Sequence, residues 1–281
     1  MYDDLFRRIA EALERIAPPT SVVTNLSKAN AFVWHAKKEL LAEVKHVSCV
    51  DLELLQGVEL QKTQLLENTL RFAQKFPANN AMLWGARGTG KSSLVKAVHQ
   101  ETNKLLPDSL VLVEIQREEI GSLSVLLNLL REAPRQVLIL CDDLSFEKGD
   151  GDYKALKSVL DGGIEGRPAN VLFYATSNRR HLMPREMIEN ERSTSINPAE
   201  AVEEAVSLSD RFGLWIGFHN GNQEQFFKIV ECYAKAYKLP ISPEELHAQA
   251  VEWSMTRGSR SGRVAWQFIQ DLAGKLGVRL T

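Results

Sequence analysis

The chain has 281 residues, of which 44% are apolar and 25% charged, a composition that fits a globular protein of one large domain or two smaller ones. Its formal net charge of −2 argues against a strongly basic nucleic-acid binder, though not against a local basic patch. No apolar run approaches the about 18 residues of a membrane span, so no membrane partner is expected.

Cys49, Cys141 and Cys232 lack metal-ligand spacing and read as reduced core thiols of a cytosolic protein. The acidic start Met1-Tyr2-Asp3-Asp4 lacks the charged-then-apolar order of a signal peptide, which points the same way, to a cytoplasmic location.

Residues 4–16 predict an amphipathic helix with Leu5, Ile9, Leu13 and Ile16 on one side and Pro18-Pro19 as its stop. A second helix is expected from about Ala29 to Val44. Together they make an N-terminal helical region over residues 1–48. A helix around Val58 to Phe76 then leads past Pro77 to the short buried strand Ala81-Met82-Leu83-Trp84.

That strand runs into Gly85-Ala86-Arg87-Gly88-Thr89-Gly90-Lys91-Ser92, which matches G-x-x-x-x-G-K-[ST], the P-loop, at every position. Its glycines allow backbone N–H groups to curl around a phosphate. Lys91 is placed to reach the β- and γ-phosphates, and Ser92 to ligate Mg²⁺. Ser93 continues the helix that follows, whose N-terminal dipole adds to an anion site. A strand before and a helix after the motif favour nucleotide binding over a glycine-rich turn.

Strands and helices then alternate. Leu110–Ile115, Val137–Cys141, Val171–Thr176 and Leu214–Phe218 read as four more strands, with helices over Ile120–Arg131 and Tyr153–Leu160. The five strands predict an open, mostly parallel α/β sheet with helices on both faces. Together they form a nucleotide-binding domain over residues 49–220. From Gln223 onward three helices with apolar stripes, near Gln223–Lys238, Pro243–Ser254 and Arg263–Leu276, predict a C-terminal helical domain over residues 221–281.

The apolar run at 137–141 ends in Asp142-Asp143, at the carboxyl end of a central strand, where ligands bind in such sheets. Asp142 is placed to hold Mg²⁺ through water, while Ser92 holds it directly, and Asp143 to orient or deprotonate an attacking water. A pair of solvated loop aspartates is the alternative. The next strand ends in Thr176-Ser177-Asn178; the Asn178 amide is placed to bond a γ-phosphate or the attacking water, and ordinary turn composition is the competing reading.

Arg211 lies just before the fifth strand and is placed to point into a neighbouring copy's nucleotide, with an ion pair to Asp210 as the alternative. Arg263, at the start of the last helix, is placed to reach back to the phosphates. Arg260 competes for that role, and a basic capping segment without function is the plainer reading.

P-loop, acidic strand end, polar strand end, Asp210-Arg211-Phe212 and a late arginine in a helical lid, in this order, resemble the AAA+ ATPases over roughly residues 50–275. The phrases at 141–147, 174–182 and 208–215 are similar to the bacterial AAA+ group catalogued as domain of unknown function 815. The resemblance implies a P-loop NTPase fold with ATP and Mg²⁺ as cofactors. Lys91 and Ser92 then belong to Walker A and Asp142 and Asp143 to Walker B; Asn178 becomes sensor 1, Arg211 the arginine finger and Arg263 sensor 2. Leu54-Leu55-Gln56-Gly57-Val58 looks like the family's adenine-packing segment.

Many AAA+ proteins carry Asp-Glu in Walker B, whereas Asp143 is one methylene shorter, as initiators and helicase loaders tend to have it. Slow or partner-dependent hydrolysis is therefore expected.

Three functions follow. The first is an ATP hydrolase that forms a homo-oligomer and remodels a protein partner. The second is a nucleic-acid-associated ATPase of the loader or initiator kind, favoured by the loop Arg179-Arg180-His181 and disfavoured by the net charge. The third is a slow nucleotide-gated binding switch with the N-terminal helices as its partner surface. A small-molecule P-loop kinase fits poorly, because no acceptor pocket is readable. The acidic stretch 183–205 reads as a solvated helix face and loop, or as a segment that responds to nucleotide. The five tryptophans read as packing residues.

Overall fold

The computed structural model describes residues 8, 26–146, 151–161, 167–180, 182, 211–219 and 221–280. The predicted helix at 4–16, apart from Arg8, and the stretch 183–205 lie outside them. A seven-stranded sheet runs in the order β2-β1-β4-β5-β6-β3-β7. The strands are β1 (Ala31–His35), β2 (Leu40–Glu43), β3 (Ala81–Gly85), β4 (Leu110–Ile115), β5 (Gln136–Cys141), β6 (Val171–Ser177) and β7 (Leu214–Phe218). Among the described strands only the β1–β2 pair is antiparallel.

The helices are α1 (Glu59–Ala73), α2 (Lys91–Leu105), α3 (Leu123–Leu130), α4 (Asp152–Asp161), α5 (Gln223–Ala236), α6 (Pro243–Arg257) and α7 (Gly262–Lys275).

Strand side chains alternate between two covered faces. Val137, Ile139 and Cys141 of β5 face one core with Leu126, Leu130 and Leu156 of α3 and α4. Leu138 and Leu140 face the other, with Leu65 and Phe72 of α1 and Leu94 and Val98 of α2. Every residue of β5 is buried, which explains why that strand reads as a continuous apolar run. Each fully buried leucine or isoleucine contributes about 2 kcal/mol. The Tyr174 hydroxyl, buried in the second core, bonds Asn68 and Thr69 and so pins α1 to β6.

Two expectations are corrected. The sheet has seven strands rather than five, and the helix predicted from about Ala29 to Val44 is a pair of strands joined by a short turn at Ala36–Lys38. Ala31 points to one core and Phe32 and Trp34 to the other, the period-2 signature of a strand. Glu39 takes a left-handed conformation (φ 46) that turns the chain back so that Trp34 pairs with Leu41. Parallel pairing of β1 on β4 and the Trp34 Nε1 bond to Ser122 Oγ (2.8 Å) fix this segment to the sheet.

Helices α5, α6 and α7 share a third core built on Phe226, Val230, Leu246, Phe268, Ile269 and Leu272. Asn222, Ser242 and Ser261 cap their N-termini, each accepting a backbone N–H with its side chain.

Candidate nucleotide site

Strand β3 ends at Gly85, and α2 begins at Lys91 with Gly90 as its N-cap. The loop between them exposes the unpaired N–H groups of a helix start, an environment that suits anions. Gly85 has no room for a side chain: a Cβ there would lie 2.0 Å from the Phe218 carbonyl oxygen on β7. Gly88 (φ +79) faces the helical lid, where a Cβ would come within 2.8 Å of Ser261 Oγ. The Gly88 carbonyl in turn accepts the Arg263 N–H (3.2 Å), so the P-loop caps the first turn of α7.

The Lys91 ammonium is buried and donates to the carbonyls of Gly85 and Ala86, both at 2.8 Å, and to Asn178 Oδ1 at 3.2 Å. Burial lowers its pKa, opposed by the Asp142 and Asp143 carboxylates. The Asn178 amide donates through Nδ2 to Asp143 Oδ1, which links Lys91 to Asp143 and settles which way the amide points. Ser92 Oγ and Thr176 Oγ1 both donate to Asp142 Oδ1. Thr176 Oγ1 also accepts the Asp143 N–H (3.0 Å).

Sequence reasoning did not single out Thr176, almost wholly buried yet bonded to both acids. The signal was its place one residue past Ala175, which pairs with Cys141 just before them. The Ser92 hydroxyl and the Asp142 carboxylate make a hard oxygen donor set, the type that suits Mg²⁺ when phosphates and water complete the shell. Among the described residues no cluster of three or more His, Cys, Asp or Glu side chains exists for a metal caged by protein alone.

A cavity of about 590 Å³ opens between these residues and the lid. Its polar end is lined by Arg87 through Ser93, with Asp142, Asp143, Thr176 and Asn178. Its apolar end is lined by Val50, Leu54, Leu55, Val58, Tyr233 and Trp266. A lining that combines P-loop backbone, carboxylates and an amide with apolar and aromatic side chains suits the chemistry of a nucleotide.

Gly57, a predicted contact, is not in the lining; its neighbours Gln56 and Val58 are. Gly85 and Ala86 also stay out of it and act through the carbonyls that hold Lys91. Trp266, read as packing, instead lines the apolar end, with its ring 5.2 Å from that of Tyr233. Arg263 lines the cavity, and Arg260 does not.

Arg211 is not brought to this cavity. Its Nε donates to Asp161, the last residue of α4. Asp210, its predicted partner, lies outside the described residues. Arg211 precedes β7, whose Leu214 pairs with Ala81 at the amino end of β3, whereas the P-loop follows Gly85 at the carboxyl end. A five-residue strand separates the two levels by about 16 Å.

No described helix is long and apolar enough to cross a membrane.

Among solved structures, the chain is similar to the Thermotoga maritima RuvB Holliday junction branch migration motor, at 13% identity and a TM-score of 0.52, over 81% of this chain and 66% of that one. It is also similar to Aeropyrum pernix ORC1 solved in complex with DNA, at 16% identity and a TM-score of 0.56, over 80% and 63%. Aeropyrum pernix ORC2, solved as ADPNP–ADP complexes, matches at 12% identity and a TM-score of 0.52, over 81% and 68%. These likenesses carry the fold alone, that of AAA+ P-loop NTPases.

A Methanocaldococcus jannaschii protein described as a 26S proteasome regulatory subunit homolog is 28% identical over 193 residues. The match covers 63% of this chain but only 44% of that relative's length. The family described as "Protein of unknown function (DUF815)" matches residues 27–276, nearly the whole chain, and the protein therefore belongs to that family and has the fold of an AAA+ ATPase.

Proposed function

We propose that this protein binds ATP with Mg²⁺ in the cavity and hydrolyses it in a homo-oligomer, so as to remodel or switch a macromolecular partner. The placement of Arg211 carries the reading. It precedes the amino end of β7, while its own P-loop follows the carboxyl end of the neighbouring strand β3, so an arginine serving phosphoryl transfer from there acts on a neighbouring copy.

Within one copy, Arg87 through Ser93 hold the phosphates and Lys91 neutralises their charge. Trp266, Tyr233, Leu54, Leu55 and Val58 hold the base, and Arg263 connects the phosphates to the lid. Ser92 and Asp142 would hold Mg²⁺, which when bound would neutralise charge on the β- and γ-phosphates. Asp143, oriented by Asn178, accepts a hydrogen bond from the attacking water and draws off its proton. We read the sheet with its helices, extended from the expected 49–220 to include β1 and β2, as the catalytic domain and 221–281 as the lid.

The test is ATP turnover per subunit across a wide range of protein concentration. Specific activity should climb with concentration, and Arg211→Ala should abolish turnover while leaving ATP binding intact. Flat activity, or unchanged turnover in Arg211→Ala, would sink the in-trans role.

A second reading, a nucleic-acid-associated ATPase, is favoured by exposed Arg179 and Arg180, the latter 5.3 Å from the centre of the Trp84 ring. ATP-dependent, salt-sensitive DNA binding would support it over a protein partner.

A further inference from the structure

We infer that Asp161 is the positioning residue for Arg211, and the inference rests on the in-trans reading above. The last residue of α4 places a carboxylate against Arg211, so the chain itself sets the side chain's direction. The contact is made through Nε, the nitrogen at the inner edge of the guanidinium.

That choice of atom matters. A guanidinium is planar, so a carboxylate held on Nε fixes the plane of the whole group. Nε is also attached to the aliphatic stem. Holding it restrains the side-chain torsions that an arginine would otherwise have to order when it reaches across an interface.

The Arg211 side chain is 23% exposed and that of Asp161 44% exposed. Both therefore stand where the surface begins, and a solvent-accessible ion pair contributes little to stability. Its consequence is orientation. Phe212, the next residue, is buried against Phe173 with ring centres 6.2 Å apart, which anchors the backbone from which Arg211 projects. Anchored on one side by Phe212 and on the other by Asp161, Arg211 is presented in one direction at the amino edge of the sheet. A neighbour's developing phosphate charge there meets a preset cation. Misplacement of such a group by about 1 Å costs about a hundredfold in rate.

The experiment compares Asp161→Ala, Asp161→Asn, Arg211→Ala and the Asp161→Ala/Arg211→Ala double variant of the full chain. Readouts are ATP turnover at saturating protein concentration, ATP affinity and melting temperature. Asp161→Ala should lower turnover about tenfold or more, with ATP affinity and melting temperature unchanged. Asp161→Asn keeps an oxygen acceptor for Nε and should recover most of the loss. In the Arg211→Ala background Asp161→Ala should have no further effect, because its whole action passes through that arginine.

Three results would overturn the inference while leaving the in-trans reading standing, each with Arg211→Ala inactive. One is wild-type turnover in Asp161→Ala; another is a further loss in the double variant. The third is a rise in turnover in Asp161→Ala, which would make the carboxylate a restraint instead of a guide. Wild-type turnover in Arg211→Ala, or specific activity independent of concentration, would overturn the in-trans reading and this inference with it.

Discussion

Thr176 donates its hydroxyl hydrogen to the Asp142 carboxylate, so the end of β6 aims an acid that belongs to the end of β5. The same oxygen accepts the Asp143 N–H, and the Thr176 carbonyl accepts the Leu144 N–H at 2.7 Å. Asp143 is left-handed (φ 52), a conformation that a non-glycine residue keeps only where its surroundings hold it. Thr176→Val keeps the side-chain volume and removes the hydroxyl. It should cost about 1 kcal/mol, since the Asp143 N–H loses its acceptor and the Asp142 carboxylate a donor. Turnover should fall at least tenfold and the Mg²⁺ requirement rise, with Thr176→Ser close to wild type. A valine variant with normal turnover and normal Mg²⁺ dependence would remove Thr176 from the site.

Two P-loop glycines should fail in different ways. At Gly85 a Cβ collides with backbone, the Phe218 carbonyl of the paired strand, which cannot move without parting β3 from β7. Gly85→Ala should therefore unfold the chain or cost more than about 4 kcal/mol in chemical denaturation. At Gly88 the first obstacle is Ser261 Oγ, a side-chain atom of the lid. Gly88→Ala, which also strains a left-handed backbone (φ +79), should cost about 1–2 kcal/mol, well short of Gly85→Ala, while weakening ATP binding about tenfold or more, since it displaces α7 from the loop. Equal loss of global stability in the two variants would contradict this division.

How far the sequence was legible depended on how local each signal was. The P-loop, Asp142-Asp143 and Asn178 are short motifs at strand ends, and the structure brings them within hydrogen-bonding reach of one another. The helix expected from Ala29 to Val44 failed because a short apolar run carries no period of its own. Its identity as β1 is set by pairing with β4, far along the chain, and by burial of Phe32 and Trp34. Thr176 was silent because its role depends on the register between β5 and β6. Trp266 and Tyr233 were equally so, since lid residues reach the cavity only when three helices pack on one another and against Val50 and Leu54.

The apolar end of the cavity makes a prediction that separates base from phosphate. Trp266→Ala removes the ring that, with Tyr233, walls the slot. ATP affinity should fall about tenfold, given the apolar area an aromatic ring contributes to a contact. Affinity for inorganic triphosphate, which lacks a base and uses only the P-loop end, should stay at its wild-type value. Parallel losses for both ligands would mean that Trp266 supports the lid fold without touching the base. Loss of neither would place the base elsewhere.

A histidine remote from these residues makes stability depend on pH. His99 is buried under β4, bonded to the Leu110 carbonyl at 3.2 Å and to Asn103 at 3.0 Å. Burial lowers its pKa from 6.5 to about 4, with the nearby Arg135 cation acting in the same direction. As pH falls below 6.5 the unfolded chain takes up a proton that the folded chain refuses. Stability is thus full above that pH and declines as pH drops toward 4, by up to about 3 kcal/mol from this group. His99→Gln removes the titration. Wild type should be the more stable at pH 7.5, and its advantage in urea midpoint should shrink steadily between pH 6.5 and 4.5. An advantage that stays constant over that range would mean that His99 charges in the fold as readily as in the unfolded chain.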